Sequence, residues 1–194
     1  MIDFSPTTER TSAVAAAVTD DQLEAPTPMG QPVRAVIHHL LGLSSAFCDA
    51  AAKVTGPTTS TPPGPQEEGP LPDGWRSELE KRLSELAQAW KSEDAWEGMT
   101  MAGGVDLPGE VCALVAIDEV LLHGWDVARA TGQPYLPTDA ECETVLPIVT
   151  PDDQAPDGSG REIFGNVVAV PADAPFFDRV LGLAGRDPNW SAGS

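Results

Sequence analysis

Apolar residues recur at every third or fourth position along much of this chain, a spacing typical of amphipathic helices. The clearest stretch is 73–93, where tryptophan and leucine recur at helical spacing and the residues between them are mostly charged or polar. Comparable stretches cover 5–18, 32–53 and about 106–132. Four helices of this length, each with an apolar stripe that must be buried, predict a mainly α-helical bundle.

Proline and glycine mark the boundaries of these predicted helices. Pro6 lies in the first turn of the first helix, where its missing N–H leaves no hydrogen bond unmade. Asp106 and Pro108 indicate the start of the fourth helix, and Gly132 followed by Pro134 indicates its end. This order of proline near the start and glycine after the end is the usual one for a helix.

The remaining segments are shorter. Between residues 55 and 72, six prolines and three glycines exclude regular structure and predict an exposed, partly extended loop. We expect one domain over residues 1–194, without internal repeats. The further predicted elements are a short helix at 138–147, a polar loop at 151–162, an extended piece at 167–170 and an amphipathic helix at 175–184.

Composition and charge narrow the possible partners. The chain has 194 residues, and no apolar stretch approaches the roughly 20 residues that cross a bilayer. Thirty acidic residues against 11 basic ones give a net charge of −19, which repels nucleic acid and anionic lipid surfaces. We therefore expect small-molecule partners, with no nucleic acid and no membrane.

Cysteine usage and the first residues favour the cytoplasm. The opening sequence MIDFSPTTER has no basic region followed by an apolar one, so no signal peptide is predicted. Cys48, Cys112 and Cys142 are scattered and form no disulfide framework. A monomer and a homodimer both remain open at this stage.

The histidines are the most informative residues, because all three lie in two of the predicted helices. His38 and His39 are adjacent in the second helix, and His123 follows Glu119 by four positions in the fourth. Residues four apart lie on one helix face, so Glu119 and His123 have the spacing of two ligands that reach for one metal ion.

The neighbours on each helix face predict which side chains point inward. His39 shares its face with Val36 and Leu43, whereas His38 shares its face with Arg34 and points toward water. Glu119 lies on a face of mostly small, apolar residues, where burying it unpaired would cost several kcal/mol. A divalent cation shared by His39, Glu119 and His123 would remove that cost.

Other interpretations of the same residues remain open. Glu119 and His123 could form a hydrogen-bonded core pair or a surface ion pair. Asp126 could pair with Arg129, or it could orient a ligand imidazole from the second coordination shell. Cys112 lies on the inward face, a position typical of a small buried hydrophobic residue rather than of a ligand or nucleophile.

Three segments together resemble a known family. The sequences PVRAVIHHLLG, HGWDVARATG and DRVLGLAGRDPNW, in this order and at these separations, are similar to the DinB and mycothiol-dependent maleylpyruvate isomerase superfamily of actinobacterial metal-binding proteins. The resemblance covers residues 27–190. It implies a four-helix bundle of up-down-down-up order, and a divalent metal held by one histidine of the second helix and a Glu-x-x-x-His pair of a later helix. These positions fall on His39, Glu119 and His123.

The chain also departs from the family pattern. Members commonly have a cysteine and then a tryptophan before the second helix, and an aspartate inside it, where this chain has Met29, Gln31 and Ala35. The ligand positions are kept, so we expect an altered pocket entrance. The chain looks too short for the additional C-terminal domain of the true isomerases, so the resemblance leaves the substrate open.

Three protein ligands leave a fourth metal position for water or substrate, as in reactive sites. A nitrogen and oxygen ligand set favours zinc, although nickel, manganese or iron can bind the same atoms. A thiol in the open position would lose its proton at neutral pH, as a thiol transferase or isomerase requires. The resemblance implies mycothiol as that thiol, acting on an electrophilic substrate, and no catalytic side chain is needed beyond the ligands.

Two rival functions stay open. The first is a protein that holds or sequesters a small molecule at the metal without turnover. The second is a bundle in which the metal only stabilises the fold, or in which no metal binds.

Overall fold

The computed structural model describes residues 1–61, 69–151 and 164–192, and these are mainly helical. The prediction of an α-helical fold built on four long helices is confirmed. The elements are α1 (Ser5–Ala17), a 3₁₀ turn (Asp20–Gln22), α2 (Val33–Ala51), α3 (Pro57–Ser60), α4 (Trp75–Ala89), α5 (Glu93–Trp96), β1 (Met99–Ala102), β2 (Val105–Pro108), α6 (Gly109–Thr131), α7 (Asp139–Val149) and α8 (Phe176–Leu183).

The four long helices form a bundle in which α1 and α2 each pack against both α4 and α6. Phe4, just before α1, stacks on Trp90 at the end of α4, with ring centroids 5.8 Å apart. At the other end, Arg76 in the first turn of α4 donates to the carbonyl of Val18, just after α1. Helices α1 and α4 are therefore antiparallel.

Contacts at the ends of α6 give the remaining directions. Gln22, which follows α1, donates to the carbonyl of Thr131 at the end of α6, so α1 and α6 are parallel. Lys53, which follows α2, lies beside Gly109 at the start of α6, so α2 and α6 are antiparallel. The order is up, down, down, up for α1, α2, α4 and α6, as the resemblance implied.

Helix α6 occupies the middle of the fold. Of its 23 residues 14 are buried, because α1, α2 and α7 and the β-hairpin all pack against it. Gly124 lets two neighbours approach closely: a Cβ at this position would clash with the hydroxyls of Thr11 and Tyr135. Those two hydroxyls lie 3.0 Å from each other and fill the space that a side chain would take.

The β-hairpin is the clearest departure from the predicted elements. Strands β1 and β2 pair antiparallel, and Gly103 and Gly104 form the turn with φ angles of 59° and 79°. Asp106 and Pro108 therefore belong to β2, and the helix begins at Gly109. Strands of four residues are too short to show an alternating pattern, which is why periodicity alone missed them.

Other predicted segments differ in detail. The loop predicted at 55–72 contains the one-turn helix α3, and its residues 62–68 lie outside the described part of the chain. Most of the polar loop at 151–162 lies outside it too. The piece at 167–170 pairs with no strand among the described residues, but the backbone N–H of Val168 donates to the carbonyl of Gly182 in α8. No helix in the described ranges is long and apolar enough to cross a membrane.

The buried carboxylate of Glu141 connects α7 to α1 by hydrogen bonds. Glu141 accepts hydrogen bonds from the Thr7 hydroxyl at 2.6 Å, from two nitrogens of Arg10 at 2.7 and 2.9 Å, and from the backbone N–H of Thr138 at 2.8 Å. Burial opposes the charge, but these hydrogen bonds outweigh it and lower the pKa of Glu141 to about 2. The ionised form therefore stabilises the fold.

We predict that Glu141→Gln lowers the free energy of unfolding by about 1–3 kcal/mol at pH 7, because charge-assisted hydrogen bonds are lost. The pKa of Glu141 is lower in the folded state than the ordinary 4.5. Its contribution is therefore complete above about pH 5 and is lost as the pH falls toward 2. Urea unfolding of the original protein and of Glu141→Gln should show the difference in their free energies of unfolding becoming smaller as the pH falls from 7 to 3.

Glu143→Gln is the matched control, because Glu143 is exposed on the same helix. We expect this change to alter stability by less than about 0.5 kcal/mol. A difference between Glu141→Gln and the original protein that stays constant across the pH range would contradict the prediction.

Candidate metal centre

His39 from α2 meets Glu119 and His123 from α6 near the middle of the antiparallel helix pair. Oε2 of Glu119 lies 3.1 Å from Nε2 of His39 and 3.2 Å from Nε2 of His123. The two imidazole rings meet edge to face, with centroids 4.8 Å apart. One candidate donor atom from each side chain lies within 4.8 Å of the other two. The structure thus brings together all three residues that the sequence selected.

The donor set fits a divalent metal ion. A tetrahedral zinc site with ligand bonds of about 2.0–2.1 Å places neighbouring donor atoms about 3.3 Å apart. The two nitrogen–oxygen distances at Glu119, 3.1 and 3.2 Å, are close to that separation. The side chains of His39, Glu119 and His123 are 21%, 24% and 14% exposed, so one side of the cluster stays open.

Electrostatics at the cluster favour positive charge between α2 and α6. Burial opposes a charge on His123, but hydrogen bonds with Asp126 and Glu119 outweigh it and raise the pKa of His123 to about 9. Burial likewise opposes the charge on Glu119, yet hydrogen bonds with His123 and His39 hold the pKa of that carboxyl well below its usual range. The negative charges of Glu119 and Asp126 can therefore be balanced by a proton on His123 or by a metal ion.

Asp126 orients His123. Its Oδ2 lies 3.0 Å from Nδ1 of His123, so the imidazole turns its Nε2 toward Glu119. Arg186, which follows α8, donates from Nε to Oδ1 of Asp126 at 3.0 Å and from Nη2 to Oδ2 at 2.9 Å. Carboxylate support of a ligand imidazole is the usual outer arrangement of histidine metal sites. Of the two roles considered for Asp126, the geometry favours orientation of the imidazole.

Other residues named in the sequence analysis lie elsewhere. The Nε of Arg129 donates to the carbonyl of Trp190 at 2.6 Å, away from Asp126. His38 lies outside the donor cluster, with its Nε2 3.2 Å from the carbonyl of Gly69. Arg186 was missed, because arginine is mostly exposed in proteins and the sequence gives no sign that this one is buried and paired.

A small open pocket borders the donor cluster on the side of Glu119 and His123. Asp118, also missed by the sequence analysis, lies in its wall and is only 2% exposed. Burial and the neighbouring Glu119 raise the pKa of Asp118 well above its usual range. The residues that line the pocket are Met29, Asp118, Glu119, Leu122, His123, Phe164 and Arg186.

Among the three departures from the family pattern, Met29 is the one found in the pocket wall. Its side chain is partly exposed. The altered pocket entrance stays a prediction, and Met29 is the residue through which it would act.

Sequence comparison identifies the family. The family model of the mycothiol maleylpyruvate isomerase N-terminal domain matches residues 4–128, a range that includes His39, Glu119 and His123. This chain belongs to that family. No curated protein sequence is significantly similar to this family member.

Two solved structures resemble this family member in fold. One is a mycothiol-dependent maleylpyruvate isomerase, with a TM-score of 0.55, and the other is a histidine-to-alanine mutant of such an isomerase, with a TM-score of 0.54. Each is 19% identical to this chain and is matched over 76% of this chain and 65% of its own length. At this identity the likeness establishes the DinB-like helical fold. This family member spans less than two thirds of those proteins.

We predict that Arg186→Met lowers the free energy of unfolding by about 3–5 kcal/mol, because it removes a partner from the buried carboxylate of Asp126. The guanidinium is only 3% exposed and Asp126 is fully buried. Urea unfolding followed by circular dichroism measures the loss.

Arg179→Met is the matched control, because Arg179 is exposed on α8 and stacks over the ring of Phe176. We expect this control to cost less than about 1 kcal/mol. The double variant Asp126→Leu with Arg186→Met should recover part of the loss, since the carboxylate that Arg186 pairs is also removed, while Nδ1 of His123 loses its partner. Equal effects of the two arginine variants would refute the assigned pairing.

Proposed function

We propose that this family member binds one divalent metal ion through His39, Glu119 and His123 and uses it to activate a low-molecular-weight thiol. The thiol then takes part in a transferase or isomerase reaction on an electrophilic substrate. The observation that carries this proposal is the convergence of three candidate donor atoms from two helices, all within 4.8 Å of one another, beside a small pocket.

The chain's own residues position the site. His39 and Glu119 hold the ion between α2 and α6, and Asp126 keeps the imidazole of His123 turned toward it. An ion with three protein ligands has an open position, where it lowers the pKa of a bound thiol and so supplies a nucleophile at neutral pH. Leu122 and Phe164 form an apolar part of the wall of the same pocket.

The cysteines of the chain are poor nucleophiles, which favours an external thiol. Burial raises the pKa of Cys112 to about 12, and it raises the pKa values of Cys48 and Cys142 to about 11. The thiolate is the reactive form of cysteine, and a thiol with such a pKa is protonated at neutral pH. The reacting sulfur is therefore expected to come from a co-substrate.

Zinc is the proposed ion, because two imidazole nitrogens and one carboxylate oxygen suit it, and the two nitrogen–oxygen separations, 3.1 and 3.2 Å, are close to those of a tetrahedral site. Nickel, manganese or iron can bind the same atoms. Mycothiol is the proposed thiol, because similar structures are mycothiol-dependent isomerases. A reaction of this kind fits the reducing cytoplasm, the compartment expected from the sequence.

The test is the metal content of protein purified without an affinity tag or chelator, measured by plasma mass spectrometry. We predict about one ion per chain in the original protein and less than about a tenth of that in His39→Ala and His123→Ala. Circular dichroism should show both variants folded, since helix packing supplies most of the stability.

His38→Ala is the matched control and should keep the ion, because His38 lies outside the donor cluster. Loss of the ion in His38→Ala with retention in His39→Ala would show that the wrong helix face was assigned. No metal in the original protein, even after incubation with zinc, would overturn the proposed function. Metal without any thiol-dependent product would favour a protein that binds small molecules without turnover.

A further inference from the structure

A buried guanidinium from the segment after α8 reaches the helix that carries two of the proposed ligands. The side chain of Arg186 is 3% exposed, and that of Asp126 on α6 is fully buried. Nε of Arg186 donates to Oδ1 of Asp126 at 3.0 Å, and Nη2 donates to Oδ2 at 2.9 Å. These two parallel hydrogen bonds fix both oxygens and therefore the plane of the carboxylate.

The end of α8 holds Arg186 in place. Gly185 has a φ of 76°, and the backbone N–H of Arg186 donates to the carbonyl of Leu181 at 2.8 Å. A left-handed glycine with a hydrogen bond back across the last turn is a common way for a helix to end. Nη1 of Arg186 also donates to the carbonyl of Ala184 at 3.1 Å. The position of the guanidinium is therefore set by the helix end as well as by Asp126.

The fixed carboxylate in turn sets the direction of His123. Oδ2 of Asp126, which accepts from Arg186, also lies 3.0 Å from Nδ1 of His123. The other ring nitrogen, Nε2, lies 3.2 Å from Oε2 of Glu119, and these two atoms are proposed to share the ion. When Nδ1 donates its proton to the carboxylate, the lone pair of Nε2 is left for a metal. A displaced Oδ2 would therefore turn the donor nitrogen away from the ion.

Position and charge predict opposite effects of Arg186 on metal binding. As a charge alone, a guanidinium near the site repels a divalent cation, so its removal would strengthen binding. As the group that holds Asp126, it keeps a ligand imidazole directed at the ion, so its removal would weaken binding. All three guanidinium nitrogens make hydrogen bonds, two of them to the same carboxylate, and we therefore expect the effect of position to be the larger one.

We propose that Arg186 is a positioning residue of the candidate metal centre, which acts through Asp126 on His123 and so raises the affinity for the ion. The metal site of this family member then depends on a residue beyond 4–128, the range that the family model matches. This inference rests on the proposed function, because it takes the three candidate donors as the ligands.

The test measures the affinity for Zn²⁺ by competition with a chromogenic chelator, at a temperature where circular dichroism shows each variant folded. Asp126→Leu should weaken binding by about 10- to 100-fold, the usual result of removing the outer partner of a ligand histidine. Arg186→Met leaves that partner present but no longer held, so we expect the lower end of this range, about 10-fold. Arg186→Lys keeps the charge without the planar fork and should weaken binding by about 3- to 10-fold.

A double-mutant cycle shows whether Arg186 acts through Asp126. In the Asp126→Leu background, Arg186→Met should cause no further loss of Zn²⁺ affinity, because no carboxylate is left to hold. The visible absorption of bound Co²⁺ gives a second readout, since its intensity depends on the arrangement of the ligands. We expect this spectrum to change in Arg186→Met and in Asp126→Leu.

Leu181→Ala is the matched control for stability. Leu181 is 1% exposed on α8, so its truncation destabilises the same segment by removing buried apolar contacts. The variant keeps the carbonyl of residue 181 and the pair of Arg186 with Asp126, so its Zn²⁺ affinity should stay within about 2-fold of the original. Arg179→Met removes an exposed arginine from α8 and should change neither the affinity nor the Co²⁺ spectrum.

The outcomes separate this inference from the function on which it rests. Unchanged or tighter Zn²⁺ binding in Arg186→Met overturns the positioning role and leaves the metal–thiol function standing. An equal loss in Leu181→Ala, or an equal further loss when Arg186→Met is added to Asp126→Leu, overturns it as well. If Arg186→Met does not fold, unchanged affinity in Arg186→Lys overturns the role. No Zn²⁺ binding by the original protein overturns the proposed function and this inference together.

Discussion

The antiparallel packing of α2 against α6 is the constraint on which the candidate site depends. His39 is 80 residues away from Glu119 in the sequence, and only this packing brings their side chains to 3.1 Å. A shift by one residue along either helix moves a side chain by about 1.5 Å and turns it by about 100°. The apolar residues through which α2 and α6 pack therefore also determine the distances between the candidate donor atoms.

A series of polar contacts connects that helix pair to the segment after α8. It passes from Glu119 through His123 and Asp126 to Arg186, and the last two of these residues are buried. A buried aspartate needs the arginine to offset its charge, and the histidine needs the aspartate to set its orientation. The segment after α8 thus supports the site although it supplies none of the three proposed ligands.

Several residues line a pocket next to the donor cluster. The resemblance places its three ligand positions on His39, Glu119 and His123, and Met29 and Asp118 line the pocket beside them. Burial keeps Cys112 protonated at neutral pH, so in the proposed function the reacting sulfur comes from a ligand.

The sequence by itself determined the helical class, the four long helices and the three candidate ligands, because helical periodicity and an i, i+4 pair are local properties of the chain. It did not reveal the hairpin before α6, whose strands are too short to show a period. The partner of Asp126 was decided by tertiary structure alone: Arg129 is near in sequence, but Arg186 is near in space. The unpartnered Asp118 likewise became visible only in the folded chain, since burial and hydrogen bonding depend on residues that are distant in sequence.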